Sequence, residues 1–338
     1  MTITEIAQEA GVSIATVSRF LNNGSVKEET KKKLEQVIRK LNYVPESVAK
    51  QMVSAPSRNK AIAIISHSMS NPYVSEFVEA VASAYNARGI ACYTGYCTDG
   101  ETEYRYLMDV ITRGVDGIIL HDPAQGVGEF ELYNRINQRF PVVIVHSSPG
   151  DIECNSISVD QKKGMRNAMN YLFKLGHRHI AYVCGTEGYS FEQKEHVWRE
   201  ELQKAGITPD EQDIIKADKV DFEAGIETTR KAVLHYLKEG KRPTAIFTAN
   251  DIMALGTLEA LKEEGLSVPG DISIMSHDDT LIARFFGLTC VNMMMRSVGI
   301  AAIDLLDYAT NGTDTIPRHI SIVPTITERS SCRKIGDG

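Results

Sequence analysis

The chain has 338 residues, more than one ordinary domain needs, so two or three packed units are expected. It contains no apolar run long enough to span a bilayer, and its first residues, MTITEIAQEAG, carry acids where a secretory leader would be basic and then apolar. A cytoplasmic protein without a membrane partner is therefore expected. The net charge of −7 argues against a nonspecific nucleic-acid binder, but residues 1–59 hold nine Lys/Arg against six Asp/Glu and net +3, leaving −10 on the remainder. A small basic head on an acidic body confines any attraction for phosphate to one end.

The first segment reads as three helices. Ile3, Ile6, Ala7 and Ala10 recur at helical spacing behind a Thr2/Glu5 capping box, and Gly11 ends the helix. Ser13 caps a second helix that buries Val17, Phe20 and Leu21. A third sets Leu34, Val37, Ile38 and Leu41 on one face, with Lys31, Lys32 and Lys33 in solvent. Pro45 stops this compact part, and residues 54–59 (SAPSRN) read as a linker.

From Ala61 the pattern becomes strand and helix in alternation. Short apolar runs at 61–65, 91–96, 116–120 and 141–145 form a first series. After Val159 come a helix at 161–175, IAYVCG at 180–185, a helix at 192–205, a strand at 213–217, a helix at 222–239, TAIFTA at 244–249, a helix at 251–264 and SIM at 273–275. This spacing implies two parallel α/β sheets wound by right-handed crossovers.

The sharpest chemistry lies in the first 22 residues. Small Ala7 and Ala10 let two helices cross closely, and the second projects Ser13, Ile14, Ala15, Thr16, Ser18 and Arg19. Hydroxyls suit phosphate oxygens, Ile14 and Ala15 suit thymine methyls, and Arg19 suits guanine O6/N7. An ordinary helical hairpin with a polar surface is the alternative. Elsewhere the six cysteines form no C-x-x-C pair and read as reduced thiols. His177 and His179 form an H-x-H pair, and Asp278 and Asp279 an acid pair. Neither is joined by a nucleophile motif, a P-loop or G-x-G-x-x-G, so no enzyme, cofactor or metal site is expected.

TITEIAQEAGVSIATVSRFLNN, followed by LNYVPESVAKQMV, NPY at 71–73, VDGIIL at 115–120, LGHRHIAYVCG at 175–185, PTAIFTANDIMALG at 243–256, VPGDISIMSHDD at 268–279 and TITERSS at 325–331, resembles the lactose/galactose repressor (LacI/GalR) family over almost the whole chain. The resemblance implies a transcription regulator, a repressor in its sign of action, that binds palindromic operator DNA as a homodimer. It assigns residues 1–45 to a helix-turn-helix head, 46–59 to a hinge helix and linker, and 60–331 to a body of type I periplasmic-binding-protein fold. The subdomains of that body would comprise 60–159 with 291–320, and 160–290 with 321–331, with crossovers near 158–161, 289–292 and 320–324.

By the same resemblance Thr2, Asn22, Ala49, Lys50 and Met52 join the DNA contacts, with Met52 where relatives wedge leucine into the minor groove. An effector would sit between the subdomains against Tyr73, His121, His146, Ser190, Lys194, Asn250 and Asp278. Lys194 stands where arginine is usual, Glu46 and Lys50 where Asn and Arg are frequent, and Val220 or Phe222 where an aromatic stacks. Met293–Met295 replaces a more polar stretch and reads as core. Lys194, His121, His146 and His277 could together become cationic, which would suit a sugar acid or sugar phosphate; a neutral sugar is the alternative. A solute-binding protein of sugar uptake and a sugar-acting enzyme on the same scaffold are the rival functions. The missing leader and the attached head count against the first, the missing nucleophile against the second.

Overall fold

The computed structural model describes residues 3–21, 24–40, 60–67, 71–123, 127–146, 153–218, 222–311 and 316–336; the side chains of residues 39, 127–130 and 146 lie outside the described set. Three helices form the head: α1 (Ile3–Ala10), α2 (Ile14–Leu21) and α3 (Glu28–Lys40). Ile6, Ala7, Ala10, Val17, Leu34, Val37 and Ile38 close into one small core, with Phe20 and Leu21 packed at its edge. Gly11 adopts φ +62 between α1 and α2, a conformation that a side chain would strain. Leu41 and the Thr2 half of the capping box lie outside the described residues.

The body holds two six-stranded sheets, and both have the same winding. The first contains β1 (Ala61–Ser66), β2 (Ala91–Tyr96), β3 (Gly117–His121), β4 (Val142–His146) and β5 (Asn155–Val159), in spatial order β2-β1-β3-β4-β5, with β11 (His319–Ile322) added beside β5. The second contains β6 (Ile180–Gly185), β7 (Ile214–Ala217), β8 (Ala245–Thr248), β9 (Ser273–Asp278) and β10 (Thr289–Asn292), in order β7-β6-β8-β9-β10, with β12 (Thr325–Thr327) beside β10. Every pairing is parallel except that of β12 with β10. Strands such as β1, β3 and β6 are buried along their whole length, as helix-covered parallel strands must be.

Helices cover both faces of the sheets. Around the first run α4 (Pro72–Asn86), α5 (Gly100–Thr112) and α6 (Val127–Asn137); around the second run α7 (Gln161–Lys174), α8 (Tyr189–Lys204), α9 (Phe222–Lys238), α10 (Asp251–Glu263) and α11 (Leu281–Phe286). The last helix, α12 (Met295–Asn311), returns to the first sheet and lies beside α4. Met293 and Met295 are buried in that core at the return crossover. Residues 291 and 292 stay on the second sheet, so that crossover falls just past the expected 289–292; residues 321 and 322 stay on the first, so the last crossover falls at 323–324, inside the expected 320–324 but past the subdomain limit at 320.

The second core is built on Trp198, fully buried with its indole N–H donated to the Ile180 carbonyl at 3.1 Å. His177 Nδ1 lies 3.0 Å from Thr244 Oγ1 and its Nε2 3.2 Å from the Arg333 carbonyl, while His179 pairs with Asp213 at 3.1 Å. These bonds tie the chain before β6 to its neighbours and to the C-terminal segment, which accounts for the H-x-H motif without a metal. All six cysteines are unpaired thiols. Among the described residues no helix is long and apolar enough to cross a membrane.

Candidate DNA-facing helix and effector cleft

The face that α2 turns outward is defined by its cap and its core contact. The Thr16 amide donates to Ser13 Oγ at 3.2 Å, and the two hydroxyl oxygens lie 2.8 Å apart. Ser13 is therefore the N-cap, and only part of its hydrogen-bonding capacity remains for phosphate. Val17 is buried, so Ser13, Ile14, Ala15 and Arg19 are exposed on the opposite side, with Thr16 and Ser18 half-buried at its margin. Thr2, Asn22, Glu46, Ala49, Lys50 and Met52 lie outside the described residues.

A residue the sequence reading passed over completes this face. The Gly24 amide donates to the Arg19 carbonyl at 2.7 Å. A Cβ at Gly24 would sit 2.9 Å from that oxygen and 2.5 Å from Arg19 Cγ, so only glycine lets the chain pass here. The Asn23-Gly24 dipeptide was the available signal.

In each sheet the strand order reverses between the first strand and its two neighbours, β1 between β2 and β3, and β6 between β7 and β8. Open α/β sheets bind ligands at the carboxyl ends of the strands beside such switch points. On the first sheet those ends carry Ser66 and His67 after β1, and His121 and Asp122 after β3. Ser66 Oγ lies 3.2 Å from His121 Nδ1, although 55 residues separate them. The His121 ring packs against Phe77 at 5.0 Å and Tyr73 at 5.7 Å between centroids. Asn71 caps α4 through the Tyr73 amide and so fixes where that phenol begins. His146 ends β4 opposite Ser158 in register.

On the second sheet, Asn250 caps α10 by accepting the Met253 amide at 2.8 Å. Its oxygen is thereby committed, and the amide nitrogen is the atom left for a ligand. The Lys194 ammonium, buried on α8, donates to the Ala249 carbonyl at 2.9 Å. Asp278 ends β9 with φ +111 and Asp279 follows at φ +63, both left-handed and strained for a residue with a side chain. Asp279 accepts hydrogen bonds on one oxygen from Asn292 Nδ2 at 2.9 Å and Thr327 Oγ1 at 2.8 Å, and its other oxygen is ion-paired with Arg329 at 2.6 Å. Among the described residues, the Asp278 carboxylate takes one side-chain partner, His277 Nδ1 at 3.0 Å. The two neighbouring acids thus differ in their surroundings, Asp279 tied to β10 and the C-terminal strand and Asp278 to His277 alone among the described side chains. Ser190 is half-buried at the start of α8, its hydroxyl donated to Gln161 Oε1 at 2.5 Å. Phe222 begins α9 and is 40% exposed, available for stacking, whereas Val220 lies outside the described residues.

Burial sets the charge of this cleft. It holds the His121 imidazole down at about 4 and His277 well below its usual value, so both rings are neutral at neutral pH. Burial thus counts against a positive charge on His121 and His277, while the His146 side chain lies outside the described residues. Burial also lowers Lys194 and raises Asp278, and each opposes the other's shift by its opposite charge. The Tyr73 phenol is raised well above its ordinary value by burial and then by the carboxyls of Asp122 and Asp278, one from each sheet. Arg284 on α11 reaches Glu76 on α4 at 3.4 Å, an ion pair between a helix of the second sheet and one of the first.

A helix-turn-helix head joined to two like-wound sheets that face each other across a polar cleft defines a DNA-binding protein with a ligand-binding body. Residues 2–46 match the model for bacterial regulatory proteins of the lacI family, and residues 169–332 match a periplasmic binding protein-like domain. Catabolite control protein A of Priestia megaterium is 30% identical over 96% of each chain, and the HTH-type transcriptional repressor PurR of Pectobacterium atrosepticum is 31% identical over all of this chain and 97% of its own. A lac repressor dimer bound to operator and the anti-inducer ONPF superposes with a TM-score of 0.70 at 25% identity, over 98% of this chain and 99% of that one. The chain belongs to the lacI family and is a DNA-binding transcription regulator; its relatives are regulators, not enzymes.

Proposed function

We propose that the protein is a homodimeric repressor whose affinity for a palindromic operator is set by a sugar-like effector held in the cleft. Residues 1–45 serve as the DNA-reading head, 46–59 as hinge and linker, and 60–331 as the effector and dimerisation body. Ser13, Ile14, Ala15, Thr16, Ser18 and Arg19 read the major groove. Thr2 and Asn22 hold phosphates, and Ala49, Lys50 and Met52 enter the minor groove. Tyr73, His121, His146, Ser190, Lys194, Asn250 and Asp278 contact the effector.

The single observation that carries this reading is the gathering of polar side chains at the carboxyl ends of both sheets, His121 against Tyr73 on the first and Lys194, Asn250 and Asp278 on the second, with Arg284 and Glu76 linking their helices. The likeness to an operator-bound lac repressor dimer supports the operator and dimer parts. The cleft offers matched donors and acceptors beside aromatic rings, with its one buried ammonium balanced by Asp278, which favours a neutral polyhydroxylated ligand over a phosphate. The ligand moves the equilibrium between subdomain arrangements only by its difference in affinity for them.

Titration of labelled DNA from the upstream region of the protein's own gene tests the reading. Specific binding of that DNA by the intact chain is expected, altered by one compound of a sugar panel. Asp278→Ala should lose that response while keeping ligand-free operator affinity. Equal binding of operator and random DNA at moderate salt would overturn the regulator's specificity, and an unaltered response in Asp278→Ala would make that residue structural.

A further inference from the structure

His277 stands on β9 one residue before Asp278, fully buried, its ring edge-on to Phe247 at 6.5 Å between centroids. Its two nitrogens have opposite surroundings. Nδ1 lies 3.0 Å from Asp278 Oδ1, while Nε2 is buried with no hydrogen-bond partner among the described residues. Burial, and then the Lys194 charge, hold this ring neutral, so it carries a single N–H. A carboxylate only accepts, so that hydrogen is on Nδ1 and Nε2 is a bare acceptor. The other tautomer would set two lone pairs against each other at 3.0 Å and bury an unpaired donor as well.

The surrounding turn fixes the Asp278 backbone and leaves its side chain to this one bond. The residue has φ +111, and its carbonyl accepts the Met293 amide at 3.3 Å. Asn292 and Thr327 are taken up by Asp279. Lys194, the cation that acts on Asp278, gives its hydrogen bond to the Ala249 carbonyl. An unpaired buried nitrogen costs free energy, and the ring bears that cost while supplying one donor to Asp278.

We propose that His277 is a positioning residue: as a neutral ring with its hydrogen on Nδ1, it orients the Asp278 carboxylate and keeps it an acceptor for the effector. The ring occupies Oδ1, so Oδ2 is the oxygen presented to the effector's donors. This deepens the reading of Asp278 as an effector contact and rests on it.

The test uses the full-length protein and two variants. His277→Phe keeps a ring against Phe247 and removes both nitrogens, whereas His277→Asn keeps an N–H close to the place of Nδ1. In the ligand-free wild type, nitrogen NMR should show Nδ1 protonated and Nε2 bare from about pH 6 to about pH 8. The Asp278 carboxyl, followed by carbon NMR, should take up its proton at least about one pH unit higher in His277→Phe, a tenfold gain in proton affinity. In His277→Asn it should stay close to the wild type. The other groups that share charge effects with this carboxyl, Lys194 on α8, Asp251 on α10 and Tyr73 on α4, are the same in both variants. Whichever of ribose, glucose and cellobiose the wild type binds in calorimetric titration should bind about tenfold more weakly to His277→Phe and within about threefold of wild type to His277→Asn.

A ring protonated on Nε2, an unmoved carboxyl in His277→Phe, or an equal shift in both variants would overturn the role of His277. Wild-type sugar affinity in His277→Phe beside a loss in Asp278→Ala would do the same. Wild-type affinity in Asp278→Ala would instead remove Asp278 from the effector site, and the effector half of this inference with it. If none of the three sugars binds the wild type, the sugar reading fails, and the ligand-free measurements alone decide whether His277 holds Asp278.

Discussion

Asp251 accepts two hydrogen bonds from one residue, the amide and the hydroxyl of Thr280, each at 2.8 Å. Its other oxygen takes the Ser276 hydroxyl. A buried carboxyl at the start of α10 thus ties down both ends of the turn that presents Asp278, and it stands next to the Asn250 cap. Loss of this carboxyl would take an acceptor from four donors, the Thr280 amide and hydroxyl, the Ser276 hydroxyl and the Cys290 thiol. Asp251→Ala should cost about 3 kcal/mol or more and should blunt the effector response through the loosened Asp278 turn. Urea unfolding of the variant measures the first; a loss under about 1 kcal/mol would mean that the turn holds itself.

Gly24 and Arg19 make a second close pair. Because the Gly24 Cβ would collide with the Arg19 carbonyl, Gly24→Ala must shift backbone at the end of the DNA-facing helix. Operator affinity should fall at least about tenfold, equivalent to about 1.4 kcal/mol, with no change in effector binding by the body. Arg19→Ala should lose about 1–3 kcal/mol on the operator and relax preference at one symmetric base pair. Fluorescence anisotropy with operator and scrambled DNA separates the outcomes: equal losses on both would make Arg19 a phosphate contact.

Lys194 and Asp278 are opposite charges buried in one cleft, and the cost of removing either depends on the other. Lys194→Met should destabilise by about 3 kcal/mol, since it leaves a buried carboxyl without its cation and the Ala249 carbonyl without its donor. The double variant with Asp278→Asn should lose less than the sum, by about 1 kcal/mol or more. Additive losses in urea unfolding would show that the two charges do not pair.

His121 and Asp251 give the pH dependence opposite slopes. The His121 ring sits at about 4 when folded and at 6.5 ordinarily, so below 6.5 the unfolded chain binds the extra proton and stability falls with falling pH. Asp251 is pushed up to about 7 from 3.8, so the folded chain binds the extra proton in that window and stability rises as pH falls from 7. His121→Asn should therefore gain on the wild type between about pH 7.5 and about pH 5, by up to about 2 kcal/mol at about 1.4 kcal/mol per pH unit. Urea unfolding at the two pH values reads this difference directly. A constant difference would mean that the ring is not desolvated.

Amino-acid order alone determined the three-helix head and the alternation of strands and helices from Ala61, because apolar periodicity and turn residues act over a few neighbours. The family resemblance added the burial of Met293 and Met295 and brought Asn250 and Asp278 forward. Order alone did not separate Asp278 from Asp279, since that depends on Asn292, Thr327 and Arg329, which reach Asp279 only once β10 and β12 are in place. Nor did it find Gly24's contact with Arg19. The charge of His121 was hidden for the same reason: it depends on desolvation, and the residues that enclose the ring, such as Ser66 and Phe77, are distant in sequence. Strand order, crossovers and the burial of charge are products of long-range packing, and only the tertiary structure decided them.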